Sequence, residues 1–383
     1  MKKRHPLVWL IPLILLLLLI PFIVPSALPD AFALEQYLDL SDVDLPEYAP
    51  VELENTAPGE VPTETIEWGK KGAKRDKPVF APHRNGFIAN DEGKIRAYQD
   101  GTISVSIEER VIKNTKVFFT WIQISDPSQF RAQFANPYPG TAEIDADRLS
   151  ARENAVLTIN GDSCLGIRAG TVIRNSDEYR RVDATRYHQL IIDDEGDFHV
   201  IKNPTAEDLK PYDGHILHSL IFGPALVIDG EKQEIGKQGD YGSGITFRKP
   251  AQRQILCQMD KLSYLIITTE GPEQSKNGGF TLYEMVDLAF ETGAQIAYNL
   301  DGGCTTWLVL GNERINNPSR RSARGITDIF YFVTAEEDPD PEPTDTPEPT
   351  AEAEAISTPE PEATATPAPP EEIEVNVEAD GTP

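Results

Sequence analysis

Asn299-Leu300-Asp301-Gly302-Gly303-Cys304-Thr305-Thr306 closes an apolar run, 295–299, that reads as a strand. Ahead of it, 281–291 reads as a helix stopped by Gly293. A helix leading into a buried strand points to a domain that mixes the two element types. The strand ends in an acid, two glycines and two hydroxyls. Glycines let backbone N–H groups approach a ligand closely. The acid and hydroxyls supply proton-transfer or coordinating groups. The same stretch also reads as a plain Gly turn with an Asx hydrogen bond.

Working outward, a second apolar strand, 155–159, ends in Asn160-Gly161-Asp162, the same layout. Further strand candidates fall at 102–107, 117–124, 215–222, 226–228, 262–268, 307–310 and 326–333. The segment 126–134 reads as a short helix, with Asp126 as N-cap and Pro127 in the first turn. Strands outnumber the few helices. The fold class expected is α+β, a mixed or mostly antiparallel sheet with a few helices in a single globular domain.

The flanks differ in character. Met1-Lys2-Lys3-Arg4-His5 precedes an apolar run from Leu7 to Val24. The basic flank puts the N-terminus in the cytoplasm and the rest outside. Residues 1–28 are expected to be a cytoplasmic start and single-pass membrane anchor. A signal peptide is the alternative, because Ala31-Phe32-Ala33 resembles a cleavage site, and it would make the protein secreted. Residues 29–83, rich in Pro and acids, read as a stalk, 84–334 as the folded domain and 335–383 as a tail. From Glu336 onward the tail holds sixteen carboxylates and no Lys or Arg, which leaves −11 of the formal −27 for everything else. With no basic stripe, nucleic acid is excluded as a partner. The three cysteines, Cys164, Cys257 and Cys304, fit no zinc spacing.

Two strand-end carboxylates, Asp162 and Asp301, could face one cleft, as glycosidic cleavage commonly requires. Arg253 opens a short strand and could pin a phosphate, or could be an ordinary ion-pair residue. Arg320, Arg321 and Arg324 precede the final strand, where they would suit an anion.

Taken in order, Asn160-Gly161-Asp162, Phe222-Gly223-Pro224-Ala225-Leu226-Val227, Arg253 before its strand, Gly279-Phe280-Thr281-Leu282, Asn299 to Gly303 and Arg324-x-x-x-Asp328-Ile329-x-Tyr331 resemble the phosphodiester glycosidase domain. That family includes bacterial exopolysaccharide-related proteins and the lysosomal uncovering enzyme, which removes N-acetylglucosamine from a mannose 6-phosphodiester. The resemblance implies cleavage of a sugar-1-phosphodiester or related surface glycan. It implies Asp301 as nucleophile or general base and Asp162 as second carboxylate. Arg253 and Arg324 would hold phosphate, Asn160, Asn299 and Thr305 would orient sugar hydroxyls, and Gly302 and Gly303 would line the substrate. No cofactor is required; a divalent cation on Asp162 or Asp301 is compatible with the pattern but not demanded by it. The partners expected are a carbohydrate or phosphoglycan and, through the N-terminal segment, the membrane. A catalytically inactive glycan-binding module on a tethered stalk is the alternative. Cys257 and Cys304 stand where the resembled family commonly has glycine. That coincidence suggests a Cys257–Cys304 bridge beside the cleft, against three independent thiols or a bridge through Cys164.

Overall fold

The strand Thr115–Ile124 explains why the apolar runs are nearly unbroken. Its side chains alternate across the sheet. Val117 and Phe119 enter one core while Phe118, Ile122 and Ile124 enter another. Both faces of this sheet are therefore buried, and neither face needs polar positions. The same division runs through Gln254–Asp260, where Leu256 faces the core of Phe118 and Ile255 and Cys257 face the core of Val117.

The computed structural model describes residues 78–339, except 238–239, 243–244, 277 and 318–323. The segment expected to be an anchor, most of the expected stalk and most of the expected tail lie outside the described residues. No helix among the described residues is long and apolar enough to cross a membrane.

A nine-stranded sheet runs in the order Phe87–Ala89, Ile95–Gln99, Ile103–Ile112, Thr115–Ile124, Ser263–Thr269, Gln254–Asp260, Ile296–Asn299, Ala225–Ile228, Glu231–Lys232. A second sheet of five strands orders Phe198–Lys202, His188–Asp193, Ile216–Leu220, Val172–Arg174, Asp177–Arg180. A third, also of five, orders Glu313–Arg314, Leu308–Leu310, Leu157–Asn160, Asp328–Phe332, Phe130–Phe134. Every strand pairing among the described residues is antiparallel. Residues from all three sheets meet in one central core that includes Tyr98, Phe130, Phe198, Tyr264 and Phe330. The helix Leu282–Glu291 covers the outer face of the large sheet, and the helix Ala146–Arg152 covers that of the third.

The α+β expectation thus holds in a coarse form: mainly β and antiparallel, with two α-helices among the described residues and three sheets instead of one. The helix at 281–291 forms as expected. Thr281 caps it, accepting from Glu284 N while the Glu284 carboxylate returns the bond, a reciprocal cap. The segment 126–134 departs from expectation. Asp126 does cap a turn, but only over Pro127–Gln129. Phe130–Phe134 is then a strand, because Phe130, Ala132 and Phe134 are buried in alternation, a period of two.

Candidate functional site

Leu157–Asn160 and Ile296–Asn299 belong to different sheets, yet their ends meet. Asn160 makes the seam. Its Nδ2 donates to the Asp301 carbonyl at 2.9 Å, and its Oδ1 accepts from Trp307 N at 3.0 Å. A shallow cleft, open to solvent, forms over this seam. Its lining includes Asn160, Ser163, Asp301, Thr305, Arg324 and Asp328, with Glu143 at one side.

Asp301 is half-buried in the wall of the cleft. Burial pushes its carboxyl up from the ordinary aspartate value. Hydrogen bonds from Thr305, Gly302 N and Ser163, and the Arg324 charge, oppose that shift. The Gly302 N–H donates at 2.9 Å. Ser163 reaches the carboxylate from a left-handed backbone, φ 59°. A non-glycine residue there signals local strain at a working position. Gly302 is required by close approach, since a Cβ on it would stand 2.7 Å from the Gln252 carbonyl oxygen.

Asp162 is brought to this place but not to the cleft. It is fully buried, and Arg174 Nη2 donates to its Oδ1 at 2.7 Å. Backbone N–H groups of Cys164 and Ile221 supply two more bonds, at 3.2 and 2.8 Å. The same guanidinium nitrogen reaches Asp328 Oδ2 at 3.2 Å. Arg174 lies over the Phe330 ring, 4.7 Å from its centroid, and donates to the Ser219 carbonyl. One buried cation thus serves two buried carboxylates, leaving a net negative charge. Burial and then the neighbouring Asp162 charge push the Asp328 carboxyl up, against the pull of Arg174. Of the two carboxylates, Asp328 is the one in the cleft lining.

Asp162, Cys164 and Asp328 bring potential ligand atoms within 4.8 Å of one another. Their positive charge is already supplied by Arg174, and both Asp162 oxygens are engaged. This donor set does not fit a resident divalent cation.

Gly161 carries the floor. A Cβ there would lie 2.1 Å from Asp328 Oδ2. Gly161→Ala is expected to cost about 1–3 kcal/mol through overpacking, read as a lowered midpoint of urea unfolding. An unchanged midpoint would mean the floor yields freely.

The remaining expected residues divide. Thr305 and Arg324 line the cleft with Asn160 and Asp301. Arg324 is exposed and pairs with Glu143 at 2.7 Å, which raises its pKa further above an already high value; its Nη1 lies 3.9 Å from Cys304 Sγ. Gly303 adopts a left-handed turn, φ 65°. Asn299 points elsewhere, its Nδ2 donating to the Gly223 carbonyl at 2.8 Å. Arg253 is buried away from the lining. Its guanidinium donates to the carbonyls of Phe280, Thr246 and Lys249 at 3.0, 2.6 and 3.0 Å. Burial pushes its pKa down to about 10. Arg320 and Arg321 lie outside the described residues. The bridge does not form: all three cysteines are free thiols. Cys257 faces the helix-covered core, while Cys304 sits on the cleft side with Arg324.

Sequence reading missed Asp328, Ser163 and Glu143 as site residues, and Arg174 entirely. Asp328 had a signal, an acid opening the otherwise apolar strand Asp328–Phe332. Glu143 had none.

Residues 152–333 match the family model described as phosphodiester glycosidase. Among solved structures, the chain is similar to the catalytic domain of zebrafish N-acetylglucosamine-1-phosphodiester alpha-N-acetylglucosaminidase, auto-inhibited by its pro-peptide. Identity there is 14%, over 68% of this chain and 88% of that one, with a TM-score of 0.49. A hypothetical protein from Synechocystis is 14% identical over 61% of this chain and 62% of its own, with a TM-score of 0.42. Comparison with curated proteins gives no match. The ordered motifs and the family match agree: residues 152–333 of this chain resemble the phosphodiester glycosidase family.

Proposed function

We propose that the chain is an exported, surface-held hydrolase that cleaves a sugar-1-phosphodiester or a related surface glycan. The observation that carries this reading is the cleft itself. Besides Glu143, which pairs with Arg324, it holds two carboxylates, Asp301 and Asp328, on strands or strand ends of two different sheets. Glycosidic cleavage uses such a pair. Asp301, which accepts from Gly302 N, either takes a proton from a water whose oxygen bonds to the anomeric carbon, or attacks that carbon itself and is then displaced by water. The bond from that carbon to the phosphodiester oxygen breaks, and its electron pair leaves with the phosphate. Asp328 is placed to return a proton. Arg324 balances the phosphate charge. A phosphate monoester is a good leaving group, its second pKa being about 6, so charge placement matters more than strong acid assistance. Turnover of a panel of sugar-1-phosphodiesters by the purified protein tests the reading; no turnover of any member would overturn it.

A second reading is a glycan-binding module without turnover. It is favoured by Arg253, whose guanidinium is spent on backbone carbonyls. Export and surface attachment rest on the N-terminal apolar run and its basic flank.

Glu143 competes with substrate phosphate for Arg324. Glu143→Gln is expected to lower KM for an anionic substrate about two- to fivefold, an exposed ion pair being worth up to about 1 kcal/mol. A rise in KM would make Glu143 a substrate contact in its own right.

A further inference from the structure

The sheet face that carries the Asp328 carboxylate continues past the cleft. Asp328 and Phe134 are direct cross-strand partners, so their side chains leave the sheet on the same side. The Phe134 ring centroid lies 5.8 Å from the Arg174 guanidinium carbon, beside the ion pair with Asp328. Two tyrosines pack on that ring. The Tyr138 centroid is 5.3 Å from it, the Tyr179 centroid 5.1 Å, and the two tyrosines are 5.2 Å apart. Burial falls off outward along this trio: Phe134 is 5% exposed, Tyr138 is intermediate and Tyr179 is 41% exposed. Val182, further along the same chain segment, is 42% exposed.

The patch joins the cleft wall. Tyr138 packs against the cluster that contains Cys164, next in sequence to the cleft-lining Ser163. Arg180, beside Tyr179 on its strand, donates to the carbonyls of Cys164, Ala169 and Gly170 at 3.2, 2.6 and 3.1 Å. The strand bearing Tyr179 is thereby fastened to the loop that leaves the cleft. Adding a cross-strand separation of about 5 Å to the ring spacing puts the tyrosines on the order of 10 Å from Asp328. A short oligosaccharide spans that distance and a single sugar does not.

Three rings make too small a patch for a stable protein partner, which needs roughly 800 Å² on each side. A pyranose fits instead. Its C–H face is apolar and sits on an aromatic ring, while its hydroxyls stay at the wet edge. We propose that Tyr138 and Tyr179 form a sugar-stacking subsite for a glycan that continues outward from the cleft. This rests on the carbohydrate reading of the cleft and narrows it: the ligand is an oligosaccharide or longer glycan, not an isolated sugar phosphate.

The test is calorimetric titration of the full chain with N-acetylglucosamine, with its tetramer and with a glucose tetramer. At least one tetramer is expected to bind more tightly than the monosaccharide. Tyr179→Ala, at an exposed position that tolerates truncation, should weaken that tetramer about tenfold, the scale of one lost stacking contact. Tyr179→Trp should retain it. Wild-type protein that binds neither tetramer would overturn the subsite, as would an unchanged tetramer affinity in Tyr179→Ala or an equal loss for the monosaccharide. Turnover enters none of these readings. Tyr179-dependent tetramer binding by a chain that cleaves no sugar phosphodiester would overturn the hydrolase reading and leave the subsite standing.

Discussion

Arg174→Met is expected to cost about 3–5 kcal/mol of folding stability near neutral pH, the scale of a broken buried ion pair. The methionine fills much of the volume and keeps the contact with the Phe330 ring, so the loss is mainly electrostatic. It leaves Asp162 and Asp328 buried, close together and without a counter-ion. The pH dependence distinguishes this cause from a packing defect. Asp328 already holds its proton more tightly in the fold than an exposed aspartate, because of burial and Asp162. A carboxyl raised in this way binds more protons folded than unfolded, between its unfolded value and its native one. Stability therefore falls as pH rises through that window. Without the pull of Arg174, Asp328 holds its proton still more tightly, and the window extends upward. The penalty of Arg174→Met should be clearly smaller at pH 5 than at pH 8 in urea unfolding. A pH-independent penalty, or one below about 1 kcal/mol, would mean the triad is not the electrostatic unit described. Adding Asp328→Asn to the methionine variant should recover part of the loss at pH 8, because one uncompensated charge is gone.

Asp301→Asn is the larger effect on activity. Turnover of a sugar-1-phosphodiester is expected to fall about 10²–10⁴-fold, with further loss if Asp301 is the nucleophile rather than the base. The amide keeps the shape of the side chain and can still accept from Gly302 N, so the circular-dichroism spectrum and unfolding midpoint should stay close to wild type. Asp301 is pushed up by burial. The acid limb of the wild-type pH–rate profile should therefore lie above the ordinary aspartate range, because the ionised form is the one that works. Removing the Thr305 hydroxyl, which favours that ionised form, should move the limb higher. Turnover unchanged in Asp301→Asn would remove this residue from the chemistry and turn attention to Asp328.

Much of the fold was legible because its signals are local. The cap formed by Thr281 and Glu284 and the apolar runs at 117–124 and 262–268 each declare their element within ten residues. The 126–134 segment failed where two local signals conflicted. Asp126-Pro127 announced a helix start, but the alternation in Phe130–Phe134 decided what followed. The site was legible only in part. Asp301, Asn160 and Thr305 lie in turns whose residue types are themselves the signal. Asp162 was found for the same reason, but its direction was not. Whether it faces solvent or Arg174 depends on a partner in a strand twelve residues away and on Asp328 far beyond. Arg174 has no sequence mark at all. It stands in the short strand Val172–Arg174 and owes its role to what folding places around it. Arg253 was misplaced by the converse error: an arginine at a strand start reads as an anion ligand until three carbonyls are seen to occupy it.

The seam at Asn160 bears on how this site can be altered. Asp301 follows a strand of the nine-stranded sheet, whereas Asp328 opens a strand of the third sheet. The gap between the two carboxylates is therefore not a property of any loop. It is the thickness of the packed layer between two sheets, read at its edge. Side chains such as Phe330 and Tyr298, fully buried and outside the cleft lining, act as shims in that layer. Volume changes among them translate into the spacing of the acids, so for the hydrolase proposed above the choice of glycan and the stereochemical course would drift with the hydrocarbon interior while every residue of the cleft stays the same.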